Sequence, residues 1–219
     1  RRKQLFSGKH FVITAGPTRE PLDPIRFLSN RSSGKMGYAL AIAARELGAT
    51  VTLVSGPVAL PAPDGVRVLY VDTAVQMHET VMREAIRCDV FIATAAVCDY
   101  RSHHQAEQKI KKTEDDLVIK LARNPDILKQ VAQLTPRPLV VGFAAETENV
   151  IANAKQKLHA KRCDFIVAND VSANQTMGQD SATVTLISPS DAVSYEELEK
   201  DALASMLLTD IHARTLLPA

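Results

Sequence analysis

Between Ile13 and Gly37 the chain reads Ile13-Thr-Ala-Gly-Pro-Thr-Arg-Glu-Pro-Leu-Asp-Pro-Ile-Arg-Phe-Leu-Ser-Asn-Arg-Ser-Ser-Gly-Lys-Met-Gly37, a long run of glycines, prolines, hydroxyls and arginines. Its chemistry is anion binding. Arg26, Asn30, Arg31, Ser32, Ser33 and Lys35 gather hydrogen-bond donors just before a stretch in which Met36, Ala39, Leu40, Ala43 and Leu47 recur at helical spacing. A helix that starts there turns unpaired N–H groups and the positive end of its dipole toward phosphate or carboxylate. Two common phosphate motifs do not account for the loop. Gly34-Lys35 is followed by Met36, where a P-loop needs Ser or Thr, and the upstream glycine is absent. Gly34-Lys-Met-Gly37 supplies only part of a dinucleotide fingerprint and lies far beyond the preceding strand. The plain alternative is an ordered structural loop leading into a capped helix.

Other groups carry chemistry of the same kind, each with a plainer reading beside it. Lys109-Ile-Lys-Lys112 is a solvated basic turn or a mobile clamp for a polyphosphate. Asp99, just after an apolar run, is a turn residue or a group that accepts from a base or sugar or helps hold a metal ion. Asn124-Pro-Asp-Ile127 is by itself a helix N-capping signal. Lys157 and Lys161, four apart, share a helix face that spacing alone makes a solvated one. The histidines have no metal-type spacing with acidic partners and receive no catalytic role. Cys98 is a reactive thiol or, the plainer reading, a small buried one near a strand end.

These groups need a scaffold, and the sequence supplies alternating elements. Phe11–Thr14, Thr50–Val54, Val66–Val71, Asp89–Thr94, Pro138–Phe143 and Asp164–Ala168 are short apolar runs, with helical patterns over 36–47, 74–87 and 147–161. Such alternation predicts an α/β fold whose mainly parallel sheet is covered on both faces, with ligands collecting at the C-terminal ends of the strands. Arg87-Cys-Asp-Val-Phe-Ile92 and Arg162-Cys-Asp-Phe-Ile-Val167 echo each other and suggest one helix-to-strand design used twice. From Arg101 to Val118 the pattern breaks, followed by the alternating Leu117-Val-Ile-Lys-Leu121; this predicts a hairpin or flap over 102–120. Ala182–Ile187 reads as an edge or hairpin strand, and 194–216 as a closing helix.

Composition sets outer bounds. The 219 residues suit one domain, with residues 1–9 expected to be a linker. With 26 basic and 25 acidic residues, net charge is +1, so no bulk attraction to nucleic acid or anionic membrane is expected. Cys88, Cys98 and Cys163 are odd in number and lack metal-ligand spacing, which fits a reducing compartment and places the chain in the cytoplasm. No run is apolar and long enough to span a bilayer.

Taken in order, the segments Thr14–Gly37, Ala95-Ala-Val-Cys-Asp-Tyr-Arg101, Lys109–Lys112, Asn124-Pro-Asp-Ile-Leu128, Val141-Gly-Phe-Ala-Ala-Glu-Thr147 and Ala168-Asn-Asp-Val171 resemble the bacterial phosphopantothenoylcysteine synthetase family over nearly the whole chain. The resemblance implies a three-layer Rossmann-like α/β fold with a protruding flap. It also implies a homodimer in which neighbouring chains help complete each site. The activity implied is the CTP-dependent ligation of 4′-phosphopantothenate to L-cysteine, with Mg²⁺. FMN would belong to a flavoprotein decarboxylase domain preceding the synthetase and missing here.

Residue by residue, the resemblance places Asn30 at the acyl carbonyl, with Arg26 also on substrate, and Lys109 on the flap over the triphosphate. It gives the nucleotide Gly16, Ser32, Ser33, Gly34, Ala93, Thr94, Ala95 and Asp99. Asn124, Pro125, Asp126, Ile127, Phe143, Lys157 and Lys161 complete that set, and the metal ligands are left unassigned. Two departures stand out: Cys98 replaces the usual alanine, bringing a thiol beside the nucleotide site, and 173–181 differs from the commoner glycine-rich form, leaving Met177-Gly-Gln-Asp180 without a role. The competing readings are an NAD(P)-dependent Rossmann-type oxidoreductase and a nonenzymatic anion-sensing module. The first lacks its fingerprint.

Overall fold

The computed structural model of the chain describes residues 4–146, 148–170 and 179–215. Its elements in chain order are β1 (His10–Ala15), β2 (Arg19–Pro21), β3 (Phe27–Ser29), α1 (Lys35–Glu46), β4 (Thr50–Ser55), β5 (Arg67–Tyr70), α2 (Ala74–Ala85) and β6 (Val90–Ala93). There follow β7 (Tyr100–Ser102), β8 (Leu121–Arg123), α3 (Ile127–Val131), β9 (Leu139–Glu146), α4 (Val150–Lys161), β10 (Phe165–Asp170), β11 (Ser181–Ile187), β12 (Ala192–Glu199) and α5 (Lys200–Thr215). An eight-stranded sheet runs β12-β11-β10-β9-β6-β1-β4-β5. The strands from β5 to β10 are parallel, and β11 and β12 add an antiparallel hairpin at one side.

The two faces follow from the alternation of side chains along each strand. Phe11 and Ile13 enter a core with Leu40 of α1 and Leu203 and Leu207 of α5, whereas Val12 joins Met77 and Val81 of α2, Val131 of α3 and Leu158 of α4. The fold is therefore three-layered. Phe11, Ile13 and Leu53 are fully buried, and each such side chain stabilises the fold by roughly 1.5–3 kcal/mol.

The echoed segments do the same work twice. Asp89 accepts the His10 amide of β1 at 2.8 Å and donates its own amide to the His10 carbonyl at 2.8 Å. Asp164 accepts the Val140 amide of β9 at 2.7 Å and donates to the Val140 carbonyl at 2.9 Å. Each aspartate thus fixes where a neighbouring parallel strand begins, which sets the register of the whole sheet and the height at which its C-terminal ends finish.

Four expectations change. The closing helix begins only at Lys200, because Ala192–Glu199 pairs antiparallel with β11 and forms the sheet edge. Glu196-Glu-Leu-Glu-Lys200 has strong helix propensity, but Val193 and Tyr195 alternate against the sheet and pairing overrides that preference. Leu216 lies outside the described residues. In the flap, β7 pairs with β8 from Tyr100 to Arg123, and 117–120 is not strand; Val118, 89% exposed, has no surface to pair against. Part of the stretch expected to be a linker, residues 1–9, packs into the domain: Phe6 is buried, edge-on to Phe11 and His212. Finally, the Ile13–Gly37 segment contains the β2–β3 hairpin.

Candidate functional site

Thr14 of β1, Ala93 of β6 and Gly142 of β9 lie level in register, and the segments that leave β1 and β6 are stitched side by side. Ala96 donates to the Gly16 carbonyl at 2.9 Å, Cys98 to the Thr18 hydroxyl at 3.0 Å, and the Asn30 carboxamide to the Val97 carbonyl at 3.1 Å. The Ser29 hydroxyl adds a bond to the Thr18 carbonyl at 2.8 Å. The long loop is thereby held as one wall against the segment after β6.

On the other side of that segment opens a cleft of about 560 Å³. Thr14, Ala93, Ala95 and Phe143 form its floor at the strand ends, and Val97 to Tyr100 form one side. Asn124 to Lys129, from the end of β8 through α3, close the opposite side, and Lys157 and Lys161 reach in from α4. The charged lining is Arg123, Lys129, Lys157 and Lys161 against Asp99 and Asp126, so the cleft is cationic on balance. It suits a polyphosphate.

Each charged group is held by identifiable partners. The Lys157 ammonium donates to the Phe143 carbonyl at 2.8 Å. Burial pushes its pKa below the ordinary lysine value of 10.5, opposed by the nearby Glu146 carboxylate. Lys161 is ion-paired with Asp126, whose Oδ1 also caps α3 by accepting the Lys129 amide at 3.0 Å. The capping reading of this segment therefore falls on Asp126. Asn124 is a fastener instead: its amide donates to the Cys98 carbonyl at 2.8 Å and to Glu20 at 3.2 Å, and its oxygen accepts from Arg101 at 3.1 Å. Glu20, 1% exposed, also accepts the first amide of α2 at 3.1 Å.

The remaining expected residues lie elsewhere. Thr94 is outside the cleft lining, because its hydroxyl donates to the Thr14 carbonyl beside Gly37. Gly16 and Gly34 both take left-handed backbone, φ 75°, beside Val58, where a Cβ on either would come within 2.8 Å of that side chain. Ser32 and Ser33 line a second depression of about 550 Å³, at the N-terminus of α1, with Arg19 and Lys35. Lys35 also pairs with Asp180 at 2.7 Å, which ties the start of β11 to the start of α1 and gives Asp180 a structural role; Met177 lies outside the described residues. Arg26 is turned to the flap, where its guanidinium donates to the Ile110 carbonyl. Lys109 is exposed on that flap and lines neither depression.

Cys98 is buried, with its thiol directed at the Thr18 and Leu28 carbonyls, and burial pushes its pKa up. Sequence reasoning passed over Thr14, Val97, Arg123 and Lys129 as cleft residues, and over Glu20 and Asp23 as buried carboxylates. Asp23, between a leucine and a proline, carried a readable turn signal.

Comparisons with known proteins agree with this architecture. The profile of the DNA/pantothenate metabolism flavoprotein C-terminal domain matches residues 6–215. The coenzyme A biosynthesis bifunctional protein CoaBC of Vibrio cholerae is 52% identical over 213 residues, covering 95% of this chain and 53% of that protein. Its Escherichia coli K12 counterpart is 49% identical over 206 residues, covering 92% of this chain and 50% of that one. The chain spans about half the length of these curated relatives. The crystal structure of the C-terminal domain of a CoaBC protein superposes with a TM-score of 0.83 at 40% identity, covering 97% of this chain and 98% of that one. The chain therefore belongs to the DNA/pantothenate metabolism flavoprotein C-terminal domain family, the phosphopantothenoylcysteine synthetase family that its sequence resembles.

Proposed function

We propose that this chain is a phosphopantothenate–cysteine ligase of coenzyme A biosynthesis. It activates 4′-phosphopantothenate with CTP and couples it to L-cysteine, releasing CMP and pyrophosphate. The observation that carries the reading is the cationic cleft at the ends of β1, β6 and β9, joined through the Asn30–Val97 hydrogen bond to the donor-rich loop. Family membership and relatives named for coenzyme A biosynthesis support it.

A carboxylate resists attack by an amine, so it is activated first. A carboxylate oxygen of phosphopantothenate attacks the α-phosphorus of CTP, the α–β phosphoanhydride bond breaks, and pyrophosphate leaves with the bonding pair. The cysteine amine then attacks the acyl carbon, loses a proton, and the acyl–oxygen bond breaks to release CMP. Charge is the obstacle in the first step. Lys157, Lys161 and Lys129 stabilise the phosphates from the cleft, and Lys109 adds charge when the flap covers them. Asn30 orients the acyl carbonyl and supports the oxyanion of the second step.

Mg²⁺ fits this donor set through the triphosphate. Among the described residues no group of three acidic, histidine or cysteine side chains forms a cage, and Mg²⁺ is commonly held by substrate phosphates with one or two carboxylates. Asp99 is the cleft carboxylate available for that, since Asp126 is paired with Lys161. Mg²⁺ so held supplies charge screening for the leaving pyrophosphate.

We further infer a homodimer. Ile25, Phe27, Tyr100 and Leu121 expose apolar surface on the two small hairpins, where a second copy would complete the site. Any FMN chemistry is assigned to the part of the bifunctional relatives that this chain does not span. No helix among the described residues is long and apolar enough to cross a membrane, and the unpaired thiols support the cytoplasmic reading. A nicotinamide oxidoreductase is not favoured, given the family. The test is mass spectrometry of a reaction holding CTP, Mg²⁺ and phosphopantothenate but no cysteine: an acyl-cytidylate is expected, and its absence with pyrophosphate unreleased would refute the reading.

A further inference from the structure

Asp23 lies in the turn between β2 and β3 and is 2% exposed. A turn aspartate ordinarily accepts the amides just ahead of it, and its Oδ1 does so, from Ile25 at 2.8 Å and Arg26 at 2.7 Å. The second oxygen is not needed for that turn. Oδ2 accepts the amide of Ile110, 87 residues away, at 3.1 Å, and the Arg26 Nε at 3.2 Å. The same Arg26 guanidinium donates to the Ile110 carbonyl. One flap residue, Ile110, is therefore held at both its N–H and its C=O. A further bond, from the Ala106 amide to the Leu22 carbonyl at 2.9 Å, lies beside it.

We propose that Asp23, with Arg26, is a latch that seats the flap on the β2–β3 turn and so positions Lys109, the residue next to the clamped Ile110. The proposal rests on the ligase reading for its catalytic consequence and on geometry alone for the latch. Burial works to raise the Asp23 pKa, but the amides of Arg26, Ile25 and Ile110 and the Arg26 guanidinium together hold it below the ordinary value. The latch thus stays ionised at neutral pH. Its turn also leads through β3 directly to Asn30, so one carboxylate sets the flap relative to the loop that carries the acyl-binding residue.

Asp23→Asn separates the two jobs of the side chain. The Asn oxygen keeps the turn amides, while its NH₂ confronts the Ile110 amide. Hydrogen exchange at Ile110 and trypsin cleavage after Lys109, Lys111 or Lys112 are expected to accelerate about tenfold or more without substrate, as the loss of a charge-assisted bond implies. In single-turnover assays acyl-cytidylate formation should slow about tenfold or more, while reaction of preformed acyl-cytidylate with cysteine stays within about twofold. Ile110→Pro removes the same bond from the flap side with Asp23 intact; because proline has no amide and the Lys109–Pro bond resists trypsin, its readouts are exchange at the Lys109 and Lys111 amides and cleavage after Lys111 or Lys112, which should accelerate likewise with the same split between the two chemical steps, so a poorly folded Asp23→Asn does not block the test. Unchanged exchange and proteolysis in both variants overturn the latch whatever the activity. Accelerated exchange with an unchanged first step overturns the positioning role. A wild-type chain that forms no acyl-cytidylate refutes the ligase reading, and the exchange data still decide the latch.

Discussion

The Lys157 ammonium donates to the Phe143 carbonyl across 2.8 Å, tying α4 to β9 at the floor of the cationic cleft. Both the burial of this charge and its aim are set by the fold. The Phe143 carbonyl satisfies one N–H, and an anion entering the cleft meets the others. Lys157→Met keeps the length and apolar stem but removes the charge. CTP affinity should fall about tenfold or more, equivalent to about 1.4 kcal/mol, while stability is unchanged or raised because a desolvated charge is gone. Calorimetric titration with CTP and a thermal melt check both; unchanged affinity would exclude Lys157 from the nucleotide site.

The depressed pKa of Lys157 gives a pH dependence whose sign is fixed. A bound polyphosphate favours the charged lysine, so binding raises the pKa that burial has lowered. Affinity is full below the free-protein value and falls as pH rises through it, in a window that opens below the ordinary 10.5. Stability runs the other way: the unfolded chain holds the proton more tightly there, so folding gains as pH rises through the same window. Pyrophosphate affinity measured against pH should show this alkaline limb, and Lys157→Met should remove it.

Much of this site was legible because the strand ends were legible. Apolar runs such as Phe11–Thr14 and Asp89–Thr94 located the sheet, and the polar segments after them became the cleft walls. The two Arg-Cys-Asp segments even disclosed a shared device, the aspartate that starts the adjacent strand. What stayed hidden depends on partners distant in sequence. Nothing near Asn124 in the chain announces that its carboxamide serves Glu20, 104 residues away, or near Asp23 that it serves Ile110. The β12 strand was hidden for another reason: its Glu-rich end favours helix, and only pairing with β11 overrides that.

Asn124 joins three segments, so its loss should register as stability before catalysis. Asn124→Ala leaves the Cys98 carbonyl and the buried Glu20 carboxylate short of a donor. A cost of about 2 kcal/mol follows, lowering the melting temperature by roughly 4–8 °C. A melt within one degree of the parent would show that Glu20 is satisfied by α2 alone.

Cys98 should behave as a buried thiol. Its pKa is pushed up by burial, so little thiolate exists at neutral pH. Iodoacetamide in excess over the native protein should label Cys98 far more slowly than the denatured chain, and Cys98→Ala, which keeps a small apolar side chain in that place, should leave turnover within about twofold. Fast labelling that abolishes activity would mark the thiol as part of the nucleotide wall's working surface.

Asn30 offers the sharpest separation of the two chemical steps. Its carboxamide donates one N–H to the Val97 carbonyl at 3.1 Å, and Val97 lines the cleft; under the proposed function its other N–H serves the acyl carbonyl. Asp at this position is nearly the same size but donates nothing, and it faces a carbonyl oxygen with negative charge. Acyl-cytidylate formation depends mainly on cations acting on the phosphates, so it should survive in Asn30→Asp. Attack by the cysteine amine develops negative charge on the acyl oxygen, and loss of a donor there slows such a step about 10²–10³-fold. Quenched-flow analysis should therefore find the intermediate accumulating in Asn30→Asp and not in the parent. Equal slowing of both steps would mean that Asn30 only holds the loop against Val97, and the acyl-group assignment would then pass to another donor.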